Sequence, residues 1–160
     1  MKTNQEGINL IKHFEGLHDG DLKAIGIQPK LCPANIWTEG YGRTMRDSKG
    51  NFLKGIENKK IAFANATIHT PKQAEEALKE DLKIYEAIVN RKVKVVLNEN
   101  KYSALVSYVY NTGGSSTLYN LVNNKGTDKQ IKDWIENHYI MGGGKILNGL
   151  ILRRKAEASL

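Results

Sequence analysis

The chain has 160 residues, 40% hydrophobic and 26% charged, which fits one globular domain with a real core. A single cysteine excludes an internal disulfide and a multi-cysteine zinc cluster. No apolar run approaches the ~18 residues of a membrane span, so no stable membrane insertion is expected, and a formal charge of +7 favours an anionic partner such as nucleic acid, an acidic surface or a wall polymer.

The first residues, MKTNQEGINLIKHFEG, lack a signal-peptide core because polar residues interrupt them every few positions. The expectation is a chain made in the cytoplasm without an export signal of its own. Thr3 and Glu6 form a capping-box pattern with Thr3 as N-cap, and Ile8, Ile11 and Phe14 follow at helical spacing, which predicts a helix over about 4–15. Residues 17–60 show no long helical period, contain repeated glycines and hold short apolar fragments such as NIWTEGYG, the pattern of a small antiparallel sheet with irregular loops. Thr70, Pro71 and Gln73 start a helix of about 71–90, supported by Ala74, Ala77, Leu78, Ile84 and Ile88.

VKVVLN at 93–98 reads as a short β-prone run. Asn98 can cap a helix of about 99–111 with Tyr102, Leu105, Val106 and Val109 inward. NTGGSST at 111–117 is a turn that runs into a helix start, and Thr127 or Asp128 caps a helix carrying Ile131, Trp134 and Ile135. Met141-Gly142-Gly143-Gly144 breaks that helix, and NGLILRRKAEASL closes the chain as the last one. The fold class expected is α+β and mostly helical. A small mixed N-terminal lobe over about 17–69 is joined by the helix of about 71–90 to an all-helical C-terminal lobe over about 91–160, which takes in the helix at 4–15.

Three sets of residues could carry chemistry. Glu15 continues the apolar stripe of Ile8 and Ile11, so partial desolvation would favour its protonated form, as a general acid requires. Paired with an arginine at a helix end, it would be structural instead. Cys32 and Thr38 lie six residues apart in CPANIWTEGYG. A nucleophilic thiol needs a nearby cation, and none of His13, His18, His69 and His138 has a diagnostic spacing to Cys32; a buried small apolar residue is the plainer reading. The histidines also lack metal-ligand spacing, so no metal site and no cofactor is expected. Arg153, Arg154 and Glu157 are either an exposed helical ion-pair set or the source of a guanidinium that orients Glu15.

HFEG at 13–16, LCPANIWTEGYGRT at 31–44, LNENKYSALVSYVYNTG at 97–113, SSTLYNLVN at 115–123 and GLILRRKAEASL at 149–160 together resemble the phage-type lysozymes, or endolysins, of glycoside hydrolase family 24. The blocks occur in family order and touch nearly the whole chain. The resemblance implies a single lysozyme-like catalytic domain that hydrolyses the β-1,4 bond between N-acetylmuramic acid and N-acetylglucosamine in peptidoglycan. It puts Glu15 at the family's general acid, Cys32 at its aspartate-or-cysteine position and Thr38 at its threonine, with Arg153, Tyr41 and Asn111 as substrate-binding or orienting residues. Water held by Cys32 and Thr38 would attack with inversion.

Glu15 and Cys32 are seventeen residues apart, further than in the family's usual pattern, and the insertion offers Asp19 and Asp21 as rival carboxylates. Glu39 and Arg43 stand where the family more often has isoleucine and histidine. Implied too are a monomer, export through a separate holin-like protein and action on the wall after the membrane is permeabilised. A lytic transglycosylase leaving 1,6-anhydro products and a non-catalytic wall-binding module remain the alternatives. A nucleic-acid partner is disfavoured because the lysines are scattered and no nucleic-acid motif is present.

Overall fold

The computed structural model describes all 160 residues, Met1–Leu160. They form two compact units: a helical unit of residues 1–14 and 82–160, and a sheet unit of residues 15–81.

The helical unit opens with α1 (Gln5–Glu15), whose last residue already belongs to the sheet unit. The expected Thr3–Glu6 capping box does not form. The Thr3 amide and hydroxyl both donate to Glu86 Oε1 at 2.8 Å, and Asn4 takes the cap instead, its Oδ1 accepting from the Gly7 amide at 3.0 Å. Thr3 is thus positioned by Glu86 rather than by the first turn of its own helix. α3 (Pro71–Lys92) begins where the Thr-Pro signal places it, with Thr70 Oγ1 accepting from the Gln73 amide, and the boundary between the units falls inside it.

α4 (Glu99–Thr112) starts at Asn98, whose side chain accepts from the Lys101 amide. Every residue from Tyr102 to Val109 is buried, so this stretch is covered on all sides and its two serines need partners within the unit. α5 (Ser116–Asn123) is capped by Ser115, and α6 (Asp128–Asn137) by a complete Thr127–Gln130 capping box. α7 (Asn148–Ser159) packs on α4 and α6.

Two further expectations need correction in this unit: the β-prone run at 93–98 and an all-helical C-terminal lobe. Residues 93–98 form no strand; the Asn123 side chain ties this segment down, donating to Lys92 O at 2.9 Å and accepting from the Lys94 amide at 2.7 Å. A β-prone run without a partner strand has no ladder to join. The glycines after Met141 also do more than end a helix: Met141–Gly142 and Lys145–Ile146 pair as a hairpin, with Gly143 at φ 57° and Gly144 at φ 78°. Two consecutive positive φ values are what a tight hairpin turn demands.

The sheet unit is built on a three-stranded antiparallel sheet in the order β1 (Lys30–Leu31), β2 (Trp37–Glu39), β3 (Arg43–Thr44). Register pairs Lys30 with Thr38, Leu31 with Trp37, and Thr38 with Thr44. Trp37, Met45, Leu53 and Ala62 form its core, with Leu31 and Phe63 packed against them. Ala62 comes from α2 (Lys59–Asn65), a short helix with no apolar period long enough to be seen in the sequence.

All three residues of β2 are buried, including Glu39 at 4% exposure. Its carboxylate accepts from the amides of Thr67 and Ile68 and from the Thr67 hydroxyl, at 3.0–3.2 Å. A buried carboxylate holding three donors stabilises only while all of them are met. Glu39→Ala is expected to lower unfolding free energy by about 3 kcal/mol, with Glu39→Gln costing less because its amide oxygen still accepts. Urea denaturation of the two variants beside the parent checks both.

Candidate active site

Glu15, Cys32, Thr38 and Tyr41 all belong to the sheet unit. Glu15 ends α1 and is half-buried, with Gly16 at φ 71° turning the chain out of the helix. Cys32 opens the turn between β1 and β2. Its amide donates to Ile36 O at 2.9 Å, its carbonyl accepts from Asn35 N at 2.9 Å, and Asn35 takes φ 63° to close the turn. Asparagine tolerates that left-handed conformation better than most residues.

The turn folds its own amides back on the thiol. Partial burial pushes the Cys32 thiol up, but backbone groups of Ile36 and Ala34, the Thr38 side chain and the residue's own amide outweigh it, and the net shift is downward. Hydrogen bonds to the charged form favour that form. Thr38 is buried on β2, and its Oγ1 lies 3.2 Å from Ile36 O. A hydroxyl has one proton to give. Donated to Ile36 O, it leaves the sulfur to the amides; turned to the sulfur, it stabilises thiolate. Tyr41 is half-buried in the turn between β2 and β3.

Asp19 and Asp21 are occupied by their own loop. Asp19 Oδ1 accepts from the amides of Asp21 and Gln28, and Asp21 Oδ1 from Lys23. These bonds shape the long insertion ahead of β1, which Gly20 N and Ile27 N fasten to Gln28 O and His69 O.

Arg153 and Asn111 belong to the helical unit. The exposed Arg–Glu set on the last helix is not what forms. Arg154 and Glu157 are 0% and 1% exposed and Arg153 is 4% exposed. Glu157 lies 2.8 Å from Arg154 Nε and 3.2 Å from Arg153 Nε, and accepts from the Ser107 hydroxyl at 2.7 Å. Burial pushes the Glu157 carboxyl up against Arg154, Ser107 and Arg153, and burial pushes the Arg154 guanidinium down. Arg154 also donates to Asn111 Oδ1 at 2.9 Å. The Arg153 guanidinium lies 5.8 Å from the centre of the Phe14 ring, the residue before Glu15.

Two polar residues gain a definite place that spacing did not supply. Glu39 is the buried clamp described above. Arg43 makes a bidentate pair with Asp81, at 2.7 and 3.0 Å, and donates to Ala77 O. No periodicity links position 43 to position 81; only the fold does. No cluster of three or more His, Cys, Asp or Glu side chains converges on a metal-sized gap. A cavity of about 160 Å³ in the helical unit, among Leu97, Ala104, Leu105, Val122 and Ile135, takes in none of the six proposed site residues.

The fold is lysozyme-like. It superposes on the muramidase domain of SpmX from Asticaccaulis excentricus with a TM-score of 0.71 at 28% identity, covering 99% of this chain and 95% of that one. A mutant of P22 lysozyme gives 0.74 at 23% identity over 99% and 97%, a likeness of fold alone. The phage lysozyme family model matches residues 12–157, and the chain belongs to that family. An endolysin of Acyrthosiphon pisum secondary endosymbiont phage 1 is 33% identical over 167 residues, covering all of this chain and 97% of the relative. The endolysin of Bacillus phage PZA is 32% identical over 164 residues, but the chain spans only 55% of that relative's length.

The thiol offers a direct check on this geometry. Thr38→Val removes one hydrogen-bond donor from the sulfur, so the Cys32 pKa should rise. Thiolate ultraviolet absorbance followed across pH reads the shift, and an unmoved titration would show that the hydroxyl stays on Ile36 O.

Proposed function

We propose that the chain is a muramidase of the endolysin type, cutting the β-1,4 bond between N-acetylmuramic acid and N-acetylglucosamine in peptidoglycan. The observation that carries this reading is the family match across residues 12–157, which spans Glu15, Cys32 and Thr38. The local chemistry of the Cys32 turn supports it.

In this reading protonated Glu15 donates its proton to the glycosidic oxygen as the bond to the anomeric carbon breaks. A water on the opposite face attacks that carbon and gives its own proton to the Cys32 thiolate. Thr38 orients the water. A single displacement from the opposite face inverts the anomeric configuration. A thiol at its ordinary pKa of ~8.5 would be mostly protonated at neutral pH and a poor base. The downward shift raises the thiolate fraction there. The same reading has the chain act as a monomer, after a separate membrane-opening protein gives it access to the wall. No helix is long and apolar enough to cross a membrane.

The first test is digestion of purified peptidoglycan with product analysis by mass spectrometry. The parent should release muropeptides with ordinary reducing ends, and Glu15→Gln should release none. Anhydro-muramic ends would make the chain a transglycosylase and remove the roles given to Cys32 and Thr38. No products from the parent would leave wall binding without catalysis.

A second test addresses the base. If Cys32 takes the water proton, kcat/KM falls as pH drops through its pKa, because the protonated thiol cannot accept. Cys32→Ser should lose about 10²–10⁴ in rate, and Cys32→Asp should restore activity and carry it to lower pH. An unchanged rate and profile in Cys32→Ser would sink the base role.

A further inference from the structure

The +7 charge is not shared between the units. Residues 15–81 carry ten Lys and Arg against ten Asp and Glu, while residues 1–14 and 82–160 carry fourteen against seven. The whole excess therefore belongs to the helical unit. Within it, Glu99 is the only acidic residue between Glu86 and Asp128, a stretch that holds Arg91, Lys92, Lys94, Lys101 and Lys125. Lys101 is taken by Asp128 at 2.7 Å. The other four are exposed.

These four are held near one another. Asn123, the last residue of α5, binds both Lys92 O and Lys94 N, so the end of α3 and the segment after it are fixed against the end of α5. Lys125 follows two residues later. Arg91 and Lys92 lie in the last turn of α3, where the helix dipole alone favours cations. The dipole does not account for Lys94, beyond the helix. Lys125 sits at φ 56°, a left-handed conformation that glycine or asparagine takes more easily. A lysine there brings a charge to this end of α5 at some backbone cost.

We propose that Arg91, Lys92, Lys94 and Lys125 form a docking surface for a flexible polyanion of the bacterial wall, a polyol phosphate chain attached to the glycan. The proposal rests on the wall as the place of action. Three of the four cations are lysines, point charges that bind phosphate without imposing one geometry, which suits a flexible chain of varying register. Residues 87–98 and 120–128 contain no aromatic side chain, so the surface offers no stacking platform for nucleic-acid bases.

The test compares two charge-reversed triples in the Glu15→Gln chain, so that walls stay intact. One is Lys92→Glu, Lys94→Glu and Lys125→Glu. The other, Lys49→Glu, Lys54→Glu and Lys60→Glu, alters net charge equally at exposed sites of the sheet unit. Binding is read by co-sedimentation with purified walls, before and after hydrofluoric acid strips phosphodiester-linked polymer. The first triple should bind about tenfold or more weakly with a shallower salt dependence, and the second should change little. The chain with its lysines intact should lose a similar factor on stripped walls.

Equal losses from both triples overturn the proposal, since net charge alone would then explain binding. Undiminished binding to stripped walls overturns it in favour of stem-peptide carboxylates. Tighter binding to duplex DNA than to walls at the same salt overturns it in favour of nucleic acid. Cleavage of soluble, polymer-free glycan fragments is followed in parallel with Glu15 present, and the first triple should leave it unchanged. A parent chain that cleaves no fragments counts against the proposed function and not against the docking surface.

Discussion

The sheet unit depends on burying three consecutive residues, Trp37, Thr38 and Glu39, in one short strand. A strand normally offers one face to a core; here both faces are covered, so each polar group needs its own partner. Trp37 N donates to Leu53 O at 2.8 Å and its indole Nε1 to Gly55 O at 2.7 Å. Glu39 takes three donors from residues 67 and 68. These bonds hold β2 against residues 53–55 and 67–68, and a slip of one residue in its pairing with β1 would turn Thr38 to the other face. With Leu31 paired opposite Trp37, residues 32–36 join the two strands in a tight turn closed by Cys32 N to Ile36 O and Asn35 N to Cys32 O. That turn brings the amides of Ala34 and Ile36 to the Cys32 sulfur. The downward shift of the thiol thus goes with a turn set next to the packing of Trp37, Thr38 and Glu39, five to seven residues on.

The helical unit is organised around the opposite problem, a surplus of buried cation. Arg153, Arg154 and Glu157 are all at least 95% buried, two positive charges against one negative. Such a set is costly to desolvate, and removal of the carboxylate would strand two guanidinium groups. The sequence answers with dispersed partners: Ser107 for Glu157, Asn111 for Arg154, the Tyr108 ring 5.0 Å beneath Arg154 and the Phe14 ring for Arg153. These come from α1 and α4, so the ionic cluster ties the last helix to the centre of its unit. Its value is positional, since well-packed apolar residues would stabilise as well or better.

Much of this was legible in the sequence, and the pattern of success follows interaction range. Asn98 and Thr70 cap where expected and Thr127 rather than Asp128 caps the helix at 128, because a cap needs only residues two or three away. Thr3 has the same local signature and is not the cap: its amide and hydroxyl are both held by Glu86, 83 residues on, and Asn4 caps the helix. The valines of 93–98 prefer extended backbone, yet propensity without a neighbouring strand produces only a loop. Strands of two or three residues are too short to leave an alternation, so the sheet was legible as a region and not as elements. Charged residues at 153, 154 and 157 read as exposed because such side chains are rarely buried; their bonds to Ser107 and Asn111 are a tertiary fact. Cys32 and Thr38 stand out in the sequence as a lone thiol six residues ahead of a threonine, but only the family resemblance gives them a shared role. Nothing in their spacing reports the folded turn.

The division of charge and the division of chemistry coincide. The proposed acid, thiol and hydroxyl all lie in the unit whose basic and acidic residues balance at ten each, and the surplus lies wholly in the other. Exposed charges more than about 8 Å apart are largely screened at physiological salt. Salt should therefore act on attraction to an anionic wall far more than on bond cleavage. The thiol is stabilised by amides and a hydroxyl, not by a neighbouring cation. Dipoles fixed within a tight turn do not dissociate or exchange with ions, so the thiolate fraction should hold across ionic strengths that weaken wall binding.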